Sequence, residues 1–171
     1  VYDAIISCPS DVSQYIEDLQ NTVRHFNNYF GRTNDIVVRT LFWKEDSFSK
    51  FGYTPQDIIN QQIVDEADIA IGIFWTRFGT PTENYGSGTE EEIERMLSRG
   101  KQVFLYFLDK PISPSSLDYE QYQKILTFKD KRKNDGVFFT IQSENELFGK
   151  IRDNLELYFN SILQGEDFKK R

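Results

Sequence analysis

The sequence predicts an α/β fold: a parallel sheet with helices on both faces. Three observations lead there. Apolar runs of strand length alternate with stretches in which apolar residues recur every three or four positions. Two of the runs, Ile69 to Trp75 and Val103 to Leu108, are apolar almost throughout, as strands covered on both sides must be. Between them stand the punctuating residues that end helices and open loops, such as Gly31, Asn34-Asp35, Arg99-Gly100 and Asn134-Asp135-Gly136.

Taken in order, Tyr2 to Ser7 reads as the first strand, broken by Cys8-Pro9-Ser10. Ser10 is the expected N-cap of a first helix. Its apolar stripe is Val12, Tyr15, Ile16, Leu19, Val23, Phe26 and Phe30, and Gly31 is its expected stop. Asn34-Asp35 is a turn, and Ile36 to Trp43, rich in β-branched and aromatic residues, is the second strand. After a polar loop from Lys44 to Tyr53, Thr54-Pro55 opens a second helix with Ile58, Ile59, Gln62 and Ile63 toward the sheet. The third strand follows Asp68, and its helix runs from about Glu90 to Arg99-Gly100. Val103 to Leu108 is the fourth strand, and Lys110 to Ser116 is a loop. Leu117 to Lys133 is a charged helix whose expected contacts are Tyr119, Tyr122, Ile125, Leu126 and Phe128. Val137 to Ile141 is the fifth strand. Ser143-Glu144-Asn145-Glu146 is a capping box for a last helix reaching about Gln164, which buries Leu147, Phe148, Ile151, Leu155, Tyr158, Phe159 and Ile162.

Strict alternation of strand and helix gives a three-layer sandwich. Five strands suggest the flavodoxin-like order 2-1-3-4-5, which reverses between strands one and three. The loops from Ser7 to Asp11 and from Trp75 to Gly88 then flank the ligand crevice.

Composition narrows the function. A chain of 171 residues is expected to form one domain with a sizeable core, and 27% charged with 15% aromatic residues excludes a disordered chain. A net charge of -7 without a basic stripe disfavours nucleic acid as partner. The single cysteine, Cys8, excludes an internal disulfide and fits a reducing, cytoplasmic setting. No apolar run is long enough to span a membrane as a helix. Because it starts at Val1, the chain reads as a domain cut from a longer protein.

Several chemistries lack their residues. There is no G-x-G-x-x-G after the first strand, no phosphate-loop G-x-x-x-x-G-K-[ST] and no G-x-S-x-G. His25 is the only histidine and lies in the first helix, so neither a Ser-His-Asp triad nor a metal site is expected. What remains is Gly88-Thr89-Glu90-Glu91-Glu92. Two readings stand side by side. Thr89 with Glu92 fits a capping box whose carboxylates favour the helix dipole. Alternatively, Glu92 is a reacting carboxylate, since the preceding loop holds Trp75, Arg77, Phe78, Tyr85 and three glycines. Rings beside an arginine suit a planar ligand bearing phosphate.

These residues carry a resemblance. Cys8-Pro9-Ser10-Asp11, Pro55-Gln56 with Ile59-Asn60 and Gln62-Ile63, Ile71 to Thr82, and Gly86 to Arg95 resemble a TIR-like domain family of uncharacterised function, over nearly the whole chain. That family is related to TIR domains and nucleoside 2-deoxyribosyltransferases. Its members typically form the N-terminal effector module of bacterial defence or NTPase- and repeat-containing proteins. The transferase pattern G-T-x-x-E falls on Gly88, Thr89 and Glu92. The resemblance implies Glu92 as the catalytic glutamate, with Glu90 and Glu91 as lesser candidates, no metal and no cofactor. Trp75-Thr76-Arg77 stands where the transferases carry an aspartate, and the Trp-Cys pair of many TIR enzymes is missing.

The expected substrate is NAD+, or a related nucleotide. Its leaving group is already cationic, so one ionised carboxylate near the anomeric carbon can suffice, and a helix N-terminus keeps that carboxylate charged. Trp75 or Tyr85 would stack on nicotinamide, and Arg77 with the backbone near Ser10 would meet phosphate. Ser7, Pro9, Ser10, Asp11, Trp43, Phe78, Ser87 and Thr89 complete the expected substrate-binding set. The leading expectation is thus an NAD+ nucleosidase, hydrolase or cyclase, activated by self-association in antiphage or immune defence and joined to a downstream sensor or NTPase module. The alternatives are a non-catalytic interaction module and a deoxyribosyltransferase or N-glycosidase.

Overall fold

The structure is a computed structural model that describes residues 1–42, 63–135 and 137–165. Its five strands are β1 (Tyr2–Ser7), β2 (Val38–Phe42), β3 (Ile69–Phe74), β4 (Gln102–Leu108) and β5 (Val137–Ile141). They form one sheet in the order β2-β1-β3-β4-β5, with every neighbouring pair parallel. This is the expected order, and its cause is visible in the burial. β3 and β4 are buried at every position, so they need helices on both sides and occupy the middle.

Among the described residues four helices supply that cover: α1 (Ile16–Phe26), α2 (Gly88–Ser98), α3 (Tyr119–Arg132) and α4 (Glu144–Leu163). On one face, Ile6, Ile71, Ile73 and Tyr106 pack against Leu19, Val23 and Phe26 of α1 and Leu147, Ile151 and Phe159 of α4. On the other, Ile5, Ala70, Leu105 and Phe107 meet Ile93 and Met96 of α2 and Ile125 and Phe128 of α3. The alternation of Ile5 with Ile6 between the two cores is the period-two signature of a strand. Phe74 anchors the second core, with Phe128, Phe78 and Phe107 at 5.4, 5.5 and 5.6 Å between ring centroids. Each such ring contributes roughly 1.5–3 kcal/mol by leaving water.

Where local detail departs from expectation, packing explains it. Ser10 does not cap the first helix. Pro9 takes the cap position without a side-chain bond, and the segment Ser10–Tyr15 winds as a 3-10 turn before α1 begins. Gly31 does not stop it either. The helix continues through a π turn, Asn27–Gly31, to Asn34, and Asp35 ends it in the left-handed region at φ 57°. Gly31 is needed for a close approach, since a Cβ there would lie 2.3 Å from the Ile36 carbonyl oxygen. In α3, Tyr119 (70% exposed) and Leu126 (37% exposed) face solvent, so Ile125, Phe128 and the half-buried Tyr122 carry the contact. Ile162 of α4 is likewise exposed, whereas the capping box before it forms: Ser143 Oγ accepts from Glu146 N–H, and Glu146 accepts from Gln142 N–H. The helix expected from Thr54-Pro55 lies outside the described residues, as does Trp43.

Among the described residues no helix is long and apolar enough to cross a membrane, and no group of three or more His, Cys, Asp or Glu could hold a metal.

Candidate functional site

β1 and β3 lie side by side, with Ser7 opposite Gly72, and the sheet order reverses at this pair. Their carboxyl ends therefore open onto the crevice of the sheet. Gly72 sets how α2 sits there. A Cβ at Gly72 would lie 2.8 Å from Ile93 Cδ1, so the bare backbone lets α2 settle close onto β3. Glu92, one residue before Ile93, is thereby brought to the end of β1, where Ser7 donates its hydroxyl proton to Glu92 Oε2. Both residues are buried, Glu92 at 8% exposure.

The two readings of the glutamate run are separated by the cap. The side chain of Ser87, not Thr89, caps α2 by accepting from Glu90 N–H at 3.1 Å. Glu90 closes the box by accepting from Gly86 N–H at 3.0 Å. The capping box expected at Thr89 and Glu92 is thus shifted by two residues, and capping does not account for Glu92. Thr89 and Glu91 are buried in the same first turns.

Cys8 follows Ser7. Burial pushes its thiol up to about 12, and the Glu92 and Asp11 carboxylates push in the same direction. At neutral pH it is a protonated thiol, a poor nucleophile. Pro9 is buried and Ser10 exposed. Asp11 turns to the neighbouring loop, where its Oδ2 accepts from Thr76 N–H, Thr76 Oγ1 and Arg77 N–H at 2.9, 2.9 and 3.0 Å.

The loop after β3 distributes its expected ligand residues unequally. Phe78 is 2% exposed, stacks on Phe74 and packs at a tilt against Phe128 in the core, so its ring serves packing. Arg77 is exposed and Tyr85 is half-buried. Trp75 is half-buried on the opposite side of the sheet from Phe74. Its indole N–H donates to the Lys110 carbonyl at 3.2 Å, and the Lys110 ammonium sits 4.7 Å from its ring centroid.

Sequence reasoning missed the cluster around that ammonium. Lys110 Nζ donates to Tyr15 Oη and, at 2.6 Å, to Glu144 Oε1, while Tyr15 donates to the same Glu144 oxygen at 2.8 Å. Burial opposes the charge of Lys110, but its bonds to Glu144 and Tyr15 outweigh it and raise its pKa. Lys110, the backbone of Glu144 itself and Tyr15 hold the Glu144 carboxyl down at about 2. The available signal was positional: Lys110 and Glu144 follow strands four and five just as Cys8 to Asp11 follow strand one. Gln121 of α3 was missed as well. Its Oε1 accepts from Phe78 and Gly79 N–H at 2.8 and 2.9 Å. A separate depression of about 370 Å³, lined by Asn27, Arg32, Asp35 and Val37 among others, lies before β2 at the amino edge and away from Glu92.

The family model described as "Domain of unknown function (DUF4062)" matches residues 11–156, and the chain belongs to that family. No curated protein matches the chain.

Proposed function

We propose that this member of the DUF4062 family is a TIR-like NAD+ nucleosidase in which Glu92 is the catalytic carboxylate. The observation that carries the reading is the placement of Glu92. It is buried at the carboxyl end of β1, oriented by the Ser7 hydroxyl, at the point where the strand order reverses, and the helix cap is made by other residues. A buried carboxylate in a sheet crevice that serves no structural cap is a reasonable candidate for chemistry.

In this reading the bond from the ribose anomeric carbon to the pyridinium nitrogen breaks. Its electron pair leaves with the nitrogen, and nicotinamide departs neutral. Glu92 faces the resulting oxocarbenium-like carbon, as ion partner or as nucleophile, and no general acid is needed for departure. Capture by water gives ADP-ribose and releases a proton; capture by the adenine ring gives a cyclic product. Trp75 and Arg77 remain the candidates for ring and phosphate contacts, and self-association would complete the site.

The test is nicotinamide release from NAD+ by the chain, both free and forced to self-associate, compared with Glu92→Gln. The amide can still accept from Ser7, so folding is preserved while rate falls by roughly a thousandfold or more. Release that is absent from every assembled form removes the enzymatic reading and leaves an interaction module. Release from nucleosides but not from NAD+ assigns transferase or N-glycosidase chemistry instead.

A further inference from the structure

Four consecutive amides of the loop leaving β3 end on two side-chain oxygens. Thr76 and Arg77 N–H converge on Asp11 Oδ2, and Phe78 and Gly79 N–H converge on Gln121 Oε1. Successive N–H groups aimed at one point make a concavity that binds anions. Here both concavities are filled by the chain's own side chains, one from the loop after β1 and one from α3. A ligand phosphate therefore finds no free amide in this run.

The Asp11 carboxylate is committed to the protein. Oδ2 already takes three donors, the third being Thr76 Oγ1, and Oδ1 is buried away from solvent. Oδ1 has no hydrogen-bond partner among the described residues. What Asp11 controls is the backbone on either side of Thr76, the residue between Trp75 and Arg77. Arg77 is exposed, and among the described residues no carboxylate pairs with its guanidinium.

We propose that Asp11 is a positioning residue: with Gln121 it clamps the four amides of residues 76–79, and so presets Trp75 and Arg77 at the carboxyl end of the sheet without touching substrate. The inference rests on the reading of Glu92 given above for its kinetic consequence, but the clamp itself can be measured without any activity.

The experiment compares Asp11→Ala, Asp11→Asn and Gln121→Ala by amide hydrogen exchange and by the kinetics of nicotinamide release. Asp11→Ala is expected to speed exchange at Thr76 and Arg77 by about tenfold or more while Phe78 and Gly79 stay protected; Gln121→Ala gives the reverse pattern. The KM for NAD+ rises about tenfold in Asp11→Ala with kcat within about threefold, and Asp11→Asn, which keeps an acceptor oxygen, recovers most of the loss. Unchanged exchange at residues 76 and 77 in Asp11→Ala overturns the clamp. An Asp11→Asn variant with protected amides but a KM as poor as that of Asp11→Ala overturns the positioning role, because charge contact with the ligand is then the cause. If wild type releases no nicotinamide at all, the functional reading fails, and the exchange pattern still decides whether the clamp exists.

Discussion

Replacing Ser7 with alanine tests the bond on which the site is built. Both partners are buried, and alanine fills nearly the same space, so little cavity is created. The loss is then that of one hydrogen bond to a carboxylate, worth about 1.5–3 kcal/mol when the acceptor stays behind in the protein interior. At about 2–4 °C per kcal/mol for a domain of this size, the melting temperature should drop by about 3–12 °C. A double-mutant cycle with Glu92→Ala isolates the pair and should give a coupling of about 1–3 kcal/mol. Both quantities come from urea titration and thermal melts. In the nicotinamide assay the same variant should lose about tenfold to a hundredfold, since 1.4 kcal/mol corresponds to one decade. A coupling below about 0.5 kcal/mol would refute the reasoning, because Ser7 then does not hold Glu92.

Two further outcomes follow from the titrating groups. Cys8 is the only thiol, so alkylation reports on it alone; with its pKa raised from 9.0 to about 12, native labelling at pH 8 should be about a thousandfold slower than in urea. Comparable native and unfolded rates would contradict its burial beside Glu92 and Asp11. Glu144 titrates at about 2 in the folded chain against 4.5 without its partners. Its folded value is depressed, so it contributes stability above about 4.5 that is lost as pH falls toward 2. Wild type should therefore lose more stability than Glu144→Gln across that window in acid melts, and Lys110→Met should raise the Glu144 pKa measured by NMR.

Much of this was legible because it is written locally. Continuous apolar runs marked β3 and β4 as buried strands, their alternation with amphipathic stretches gave a parallel sheet, and the count of five strands suggested the order that located the crevice. The glutamate run was legible only in part. Ser87-Gly88-Thr89-Glu90-Glu91-Glu92 contains a capping box in two frames, Ser87 with Glu90 and Thr89 with Glu92. The backbone of the preceding loop selects the first frame, and no local rule decides between them. The remaining partners are separated too widely to leave any periodic trace. Asp11 reaches Thr76 across 65 positions, Phe78 reaches Gln121 across 43, and Lys110 joins Tyr15 across 95. Phe78 was placed at the crevice because it shares a loop with Arg77, yet the turn sends its ring back to Phe74. Gly31 looked like a helix stop for a similar reason: glycine serves both chain reversal and tight packing, and the sequence does not say which.

The packing of α4 against α1 has a consequence for how the polypeptide matures. Phe159 touches Tyr2 and Phe26, with ring centroids 4.8 and 5.7 Å apart, so the earliest strand and helix find their cover in almost the last segment described. During synthesis one side of the nascent sheet stays greasy and open until residues 144–163 have cleared the exit tunnel. High contact order of this kind slows folding and lengthens the window for aggregation. Shortening α4 should therefore yield insoluble protein long before it removes any residue of the crevice.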